Sequence, residues 1–335
     1  MTDGEITFTA SNIKDLAGNI TADVTKPTNG RRIVLDNVGP VADKLAIRGA
    51  AGEWSKDRKE YKQYAKEGTI VYVEAYFKEE LATTPVITLN DKVKLTKATK
   101  RESNGIWIYS YSHKVGADDL EEGEIQVKAT NCKDYAGNET VLTNADLKMT
   151  SQRIVIVDRT APTFNIYKDG KRPVENVEIV EYKGKLYFND DAEIQFHDNY
   201  RLNTVATNDV KPYQTTYGVT GQIKYVREDG EYKYVATDRA GNQTTVTVVR
   251  DTVAPTVKEH SYIGENPYSG MSFKLSDNNA IDKFVLNGKE YERTNNKISD
   301  ANYTNIKSQL KNGKNELVLY DIAGNTTTHE FNLDR

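Results

Sequence analysis

Asp238-Arg-Ala-Gly-Asn242, with Thr244 two residues on, is one of four copies of a single phrase in this 335-residue chain. The others are Asp15-Leu-Ala-Gly-Asn19 with Thr21, Asp134-Tyr-Ala-Gly-Asn138 with Thr140, and Asp321-Ile-Ala-Gly-Asn325 with Thr327. An Asp carboxylate accepts bonds from backbone N–H groups just downstream, Gly takes a positive φ at no steric cost, and Asn tolerates the left-handed region. Runs alternating at period two lead into the phrase, such as Glu5-Ile-Thr-Phe-Thr-Ala10 and Glu316-Leu-Val-Leu-Tyr320, and β-rich runs such as Gln243-Thr-Thr-Val-Thr-Val-Val249 follow it. Each copy therefore predicts a hairpin tip, and its return predicts an array of like modules.

A second signal keeps step with the first. The returning strands end at Asp36, Asp158 and Asp251, and Pro40, Pro162 and Pro255 follow within four residues. Pro fixes its own φ and restricts the residue before it, so these are short, stiff linkers. A further linker would begin at Asp334. The parse is a fragment over 1–36 that holds only a last hairpin, then modules over 37–158, 159–251 and 252–335, the first carrying an insertion at 53–68. Modules of roughly 80 to 120 residues made of short strands suit β-sandwiches. The fragment reads as the end of a module whose front half lies upstream. Its unpaired edges predict a segment that is poorly ordered, docked on a neighbour, or paired with another copy.

Composition agrees with small sandwiches that have thin cores. Hydrophobic residues make up 37%, charged residues 28%, and mean hydropathy is −0.68. The 21 Tyr outnumber 8 Phe and 2 Trp, and Tyr suits half-buried strand faces because its ring packs while its hydroxyl reaches water. A net charge of −4 with Lys and Arg scattered along the chain leaves no basic footprint for nucleic acid. The single cysteine, Cys132, excludes a disulfide within the chain. No apolar run approaches the ~18 residues that cross a bilayer, so this fragment predicts no membrane insertion.

The Asp-x-Ala-Gly-Asn-x-Thr turns, together with the linkers Asp158 to Thr163 and Asp251 to Thr256, resemble tandem bacterial immunoglobulin-like (Big-type) repeats of Gram-positive surface proteins and adhesins. Ser276 to Lys289 and Gly313 to Tyr320 are similar to that family's middle strands, whereas Thr84-Pro-Val-Ile-Thr-Leu-Asn90 is closer to a sister subtype. The resemblance implies an all-β chain of tandem immunoglobulin-like or fibronectin-III-like β-sandwiches in an elongated array. It also implies an extracellular place on the bacterial cell surface or cell wall, with neighbouring modules of the same chain as partners.

Two kinds of site are candidates. Asp36, Asp158 and Asp251 sit at module junctions, where hard oxygen ligands suit Ca²⁺, which takes six to eight of them; some adhesins of similar repeat type stiffen junctions this way. Against it, a single Asp at a turn more often bonds backbone N–H groups, and no compact Asp-x-Asp-x-Asp loop occurs. The insertion Glu53 to Lys66 is a loop or a short helix whose Trp54, Tyr61 and Tyr64 offer stacking faces to a host protein or glycan; the alternative is an elongated loop whose aromatics cap the core. A Lys–Asn isopeptide bond is a third reading, with no one pair standing out.

Catalysis has little to stand on. The four histidines, 113, 197, 260 and 329, lack metal spacing, and no nucleophile elbow, phosphate loop or dinucleotide fingerprint occurs. His197-Asp198-Asn199 is the most site-like triplet, yet its Asp-Asn matches Asp277-Asn278 of the next module. The function expected is a non-catalytic structural spacer that projects another domain from the cell wall; the alternative is an adhesin module that binds through the loops of 37–158.

Overall fold

The computed structural model describes residues 3–27, 29–50, 52–55, 58–170, 175–207, 214–217, 221–260, 272–292, 301–302 and 306–333. The final linker Asp334 lies outside them. The chain is nearly all β and divides into two units, Met1–Arg159 and Thr160–Arg335.

In the first unit, residues 3–36 form a thin hairpin. Gly4–Glu5 pairs with Val34–Leu35, and isolated bridges join Ala10 to Val24 and Lys14 to Ile20. Its apolar side chains stay in solvent: Ile6, Phe8, Ile13, Ile20 and Ile33 are all more than 40% exposed. The module that follows has three four-stranded sheets. One runs Ala42–Arg48, Ile70–Phe77, Ile106–Lys114, Thr99–Ser103, antiparallel throughout. A second runs Glu139–Leu142, Val127–Lys133, Val86–Leu89, Val93–Leu95. The third runs Gly123–Glu124, Arg153–Val157, Tyr61–Ala65, Gly52–Trp54, and its middle pair is parallel. Strand alternation sends Leu45, Ile47, Val71, Val73, Phe77, Ile87 and Leu89 to full burial, and that burial holds the sheets together.

Two local features differ from the sequence reading. Within the stretch Glu53 to Gly68, the described residues pair as strands, Gly52–Trp54 with Tyr61–Ala65, rather than forming a loop or helix, and Trp54 stands opposite Tyr61. The second strand lies parallel to Arg153–Val157, so half of it belongs to the core: Tyr64 and Ala65 are 4% and 0% exposed. The one α-helix among the described residues is Asn144–Ser151. The Asp146 carboxylate accepts from the Thr143 N–H and hydroxyl at 2.8 and 3.1 Å, a capping arrangement that starts the helix; Gln152, at φ 53°, ends it.

The second unit holds two modules. In the first, Thr163–Lys168, Ala192–His197, Gly221–Val226 and Gln214–Tyr217 form one sheet. Val180–Tyr182, Lys185–Phe188, Gln243–Arg250, Gly230–Asp238 and Leu202–Thr207 form the other. Lys185–Phe188 runs parallel to Gln243–Arg250, the counterpart of Tyr61–Ala65 in the preceding module. Phe188, Phe196, Tyr234 and Val248 fill the space between. In the last module, Thr256–His260, Ser272–Ser276 and Ala301–Asn302 face Lys289–Glu292, Ile281–Leu286, Gly313–Asp321 and Thr326–Leu333 across a core of Phe273, Phe284, Leu286, Leu317 and Leu319. Two-sheet modules with mostly antiparallel strands in this order are immunoglobulin-like β-sandwiches.

Candidate functional site

All four phrases close as hairpin tips. The N–H of each Asp bonds the carbonyl of its Asn at 3.0 to 3.2 Å, and the glycines take φ of 88°, 95°, 90° and 93°. In each, the Asp carboxylate accepts from the Asn backbone and the Asn side-chain amide, as at Asp134 where both bonds are 2.9 Å.

The turns also reach across the fold. Asn138 Nδ2 donates to the carbonyl of Asp36 at 3.0 Å, and Thr140 Oγ1 to that of Pro40 at 2.8 Å. Asn325 Nδ2 donates to the carbonyl of Asp251 at 2.8 Å, and Thr327 Oγ1 to that of Pro255 at 2.5 Å. Thr244 does the same to Pro162. The last turn of a module thus grips the linker by which the chain enters that module. This explains why Asn and Thr accompany the Asp and Gly.

At the entrance to the last module the grip brings carboxylates together. Asp251, Asp277 and Asp321 each place an oxygen within 4.8 Å of the others, with Asp251 and Asp321 only 1% and 2% exposed. Asp251 Oδ1 accepts from Val253 N and Asn278 Nδ2 at 3.0 and 3.1 Å, and Oδ2 from Asn279 Nδ2 at 2.6 Å. Asp277 Oδ2 accepts from Asn279 N at 2.8 Å, while its Oδ1 is buried with no hydrogen-bond partner. Burial, with the Asp277 and Asp251 charges adding to it against the bonds from Asn325, pushes Asp321 up to about 6. Asp277 is also raised, by burial first and by Asp251. In Asp134 burial acts the same way, but the bonds from Asn138, Gly137 and Ala136 win and hold it below the usual range. The difference is first the stronger burial penalty on Asp321, to which the neighbouring carboxylates add.

A hard divalent cation suits this donor set. It would satisfy the orphaned Asp277 oxygen and offset three crowded carboxylates, with Asp251, Asp277 and Asp321 holding it. Of the junction residues named from sequence, Asp251 lies at this cluster. Asp36 is exposed, caps Val38 N at 3.1 Å, and belongs to no three-carboxylate group among the described residues. Asp158 is fully buried at the end of the first unit, its N–H on the carbonyl of Ala65 at 2.8 Å. Asp277 went unread as a ligand; its match to Asp198 was the available signal.

Beside this cluster lies an apolar joint between the two modules of the second unit. Tyr182, Tyr187 and Val249 of the earlier module pack against Ile322 and Ala323 in the turn of the later one, and Asn189 Nδ2 donates to Asn325 Oδ1 at 3.1 Å. The residues Ile322-Ala323 inside the phrase therefore serve the joint as well as the turn.

The aromatic candidates separate. Trp54 is 50% exposed and meets Tyr61 edge-on with centroids 5.3 Å apart, while Tyr64 is buried and presents no ring to solvent. The Arg153 guanidinium lies over Tyr61, 5.2 Å from its centroid.

The fold makes the chain a tandem array of immunoglobulin-like sandwiches. No protein-family model and no curated protein matches it. Solved structures similar to it include the three-Ig structure of titin domains I67–I69, an E-to-A variant (10% identity, TM-score 0.35, covering 88% of this chain and 98% of that one). Another is the tetra-tandem repeat in the extending region of a large adhesion protein (17%, TM-score 0.25, 99% and 81%). A third is the full ectodomain of mouse nectin-like molecule 4 (16%, TM-score 0.26, 64% and 67%).

Proposed function

We propose that this chain is a non-catalytic spacer of a bacterial cell-surface protein, holding a functional domain away from the cell wall. The observation that supports it most is the grip of each final turn on its own entering linker, seen at Asn138 on Asp36 and at Asn325 on Asp251. A linker bonded along its carbonyls cannot swivel freely, and a spacer needs stiff joints. The apolar contact of Tyr187 and Val249 with Ile322 adds to this at one joint. Calcium held by Asp251, Asp277 and Asp321 would stiffen the same joint by replacing mutual repulsion with shared attraction. A second reading, an adhesin module in 37–158 that binds a host protein or glycan, is favoured by the exposed Trp54 edge-on to Tyr61.

Small-angle scattering of the whole chain tests the spacer. The expected result is a maximum dimension equal to the modules laid end to end. A dimension that contracts to that of a single globule would sink the reading.

A further inference from the structure

The outer face of the sheet built on Ala42–Arg48, Ile70–Phe77, Ile106–Lys114 and Thr99–Ser103 gathers cations that are far apart in sequence. Register sets the pattern. Lys44 lies beside Tyr76, Ala46 beside Glu74 and Arg48 beside Tyr72; on the far side Ser110 stands opposite Glu74, and Ile108 lies between Tyr76 and Arg101. Arg153 comes in from the start of its own strand, and Lys44, Arg48, Glu74, Tyr76, Arg101 and Arg153 line a groove of about 360 Å³, with Tyr72 beside Arg48 on the same strand pair.

One carboxylate sits at the floor. Glu74 accepts from Tyr76 OH at 2.7 Å and Ser110 Oγ at 3.2 Å, with Arg48 at 3.7 Å and Arg101 at 3.8 Å. Burial alone would raise its pKa, but these partners hold it below the usual carboxylate range, so it stays ionised. Its single charge is shared by two arginines whose side chains are about half exposed, at 50% and 53%. Lys44 and Arg153 have no carboxylate in ion-pair reach among the described residues; each lies over a ring instead, Lys44 over Tyr76 and Arg153 over Tyr61. Four cations therefore face solvent over one negative charge, in a chain whose net charge is −4.

From this arrangement we infer that the groove binds a sulfated polysaccharide, its sulfates on Lys44, Arg48, Arg101 and Arg153 and its sugar rings against Tyr72 and Tyr76. A planar arginine fork bonds two oxygens of one tetrahedral sulfate group at once, and a tyrosine ring flanked by cations adds an apolar surface for a pyranose ring that a bare anion would not use. Lys44 and Arg48 are roughly 13 Å apart along their strand, so the site spans a short oligosaccharide rather than one ion. The inference stands whether or not the array is a spacer. It also moves the binding face of this module from its loops to its sheet.

The test measures heparin binding by the full chain against salt. Lys44→Gln combined with Arg153→Gln removes the two cations without a carboxylate partner, so the fold should hold, and an unchanged melting temperature verifies that. The expected result is binding about tenfold weaker, with the slope of log Kd against log salt reduced by about two, one per cation removed. Lys94→Gln with Lys128→Gln, two exposed lysines on other strands, makes the same net-charge change and should leave binding unaltered. Failure of the wild-type chain to bind heparin at physiological salt overturns the inference. So does equal loss in the Lys94/Lys128 control, or equal affinity for desulfated heparin, polyphosphate or single-stranded DNA. Should the double variant unfold, Arg153→Gln alone is read by the same criteria.

Discussion

The side-chain amide of Asn325 donates to the carbonyl of Asp251 across 74 residues of sequence, at 2.8 Å. The same amide bonds Asp321 Oδ2 at 2.8 Å, and Asn325 Oδ1 accepts from Asn189. One side chain thus ties a turn, a linker and the preceding module.

Asn325→Ala removes these bonds, with a longer one to the Val253 carbonyl at 3.5 Å, and leaves the buried Asp251 carbonyl short of a donor. The expected cost is about 1 to 3 kcal/mol in the unfolding of the second unit, read as a shift of urea midpoint at constant m-value. The exposed counterpart Asn19→Ala should change the midpoint little, because Asp15 and Asn19 lie in solvent.

Asp321 sets a pH dependence opposite to that of an ordinary ion-paired carboxylate. Burial raises its folded pKa to about 6, above the usual carboxylate range, so the folded state binds the proton more tightly. Its destabilising effect is absent below about pH 4, grows as pH rises through 6, and is complete above, reaching at most about 3 kcal/mol. In chelator, Asp321→Asn should therefore be more stable relative to wild type at pH 7.5 than at pH 4.5. A difference that is flat across that range, or reversed in sign, would count against the burial of an ionisable Asp321 among carboxylates.

If a divalent cation occupies Asp251, Asp277 and Asp321, millimolar Ca²⁺ should raise the melting temperature of the second unit. Saturation at a hundredfold excess over Kd corresponds to about 2.7 kcal/mol. Asp277→Asn should abolish most of that rise while leaving the chelated protein at least as stable. Calorimetry with and without chelator makes the comparison, and an equal Ca²⁺ response in the variant would remove the metal.

Ile322→Ala addresses the apolar joint. Ile322 is fully buried against Tyr182, Tyr187 and Val249, so truncation should cost about 2 to 4 kcal/mol and uncouple the two modules of the second unit. The measurement is calorimetric: one transition for that unit in wild type, two in the variant.

Cys132 should be chemically silent. It is fully buried, and burial pushes its thiol up to about 12, so almost no thiolate exists at pH 8. Alkylation at pH 8 is expected only after the first unit unfolds. Rapid labelling of the native protein would contradict the buried placement.

How much was legible in the sequence depended on distance along the chain. The turn phrase was readable because its chemistry is local: Asp15, Asp134, Asp238 and Asp321 bond residues within four positions. The bond from Asn138 to Asp36 spans 102 residues, and nothing in the phrase announces it. The stretch from Glu53 to Gly68 misled because its Lys and Glu resemble a surface loop, whereas the end of the strand Tyr61–Ala65 is buried without alternation, Gln63, Tyr64 and Ala65 together. The helix Asn144–Ser151 is short and lies in a β context; Thr143 and Asp146 were the only local sign of it. Asp277 and Asp198 were visible as matching positions, but a match in sequence does not say that Asp277 would meet Asp251 and Asp321.

The hold of a final turn on its own entrance also has a temporal side. On a ribosome, Asp251 emerges well before Asn325, so the entering linker stays untethered until the last hairpin of its module is complete. Each joint is then the last part of its module to set. A chain halted mid-synthesis would carry a slack hinge just ahead of the unfinished module, and that hinge is where a protease or an exchanging second copy would find its opening.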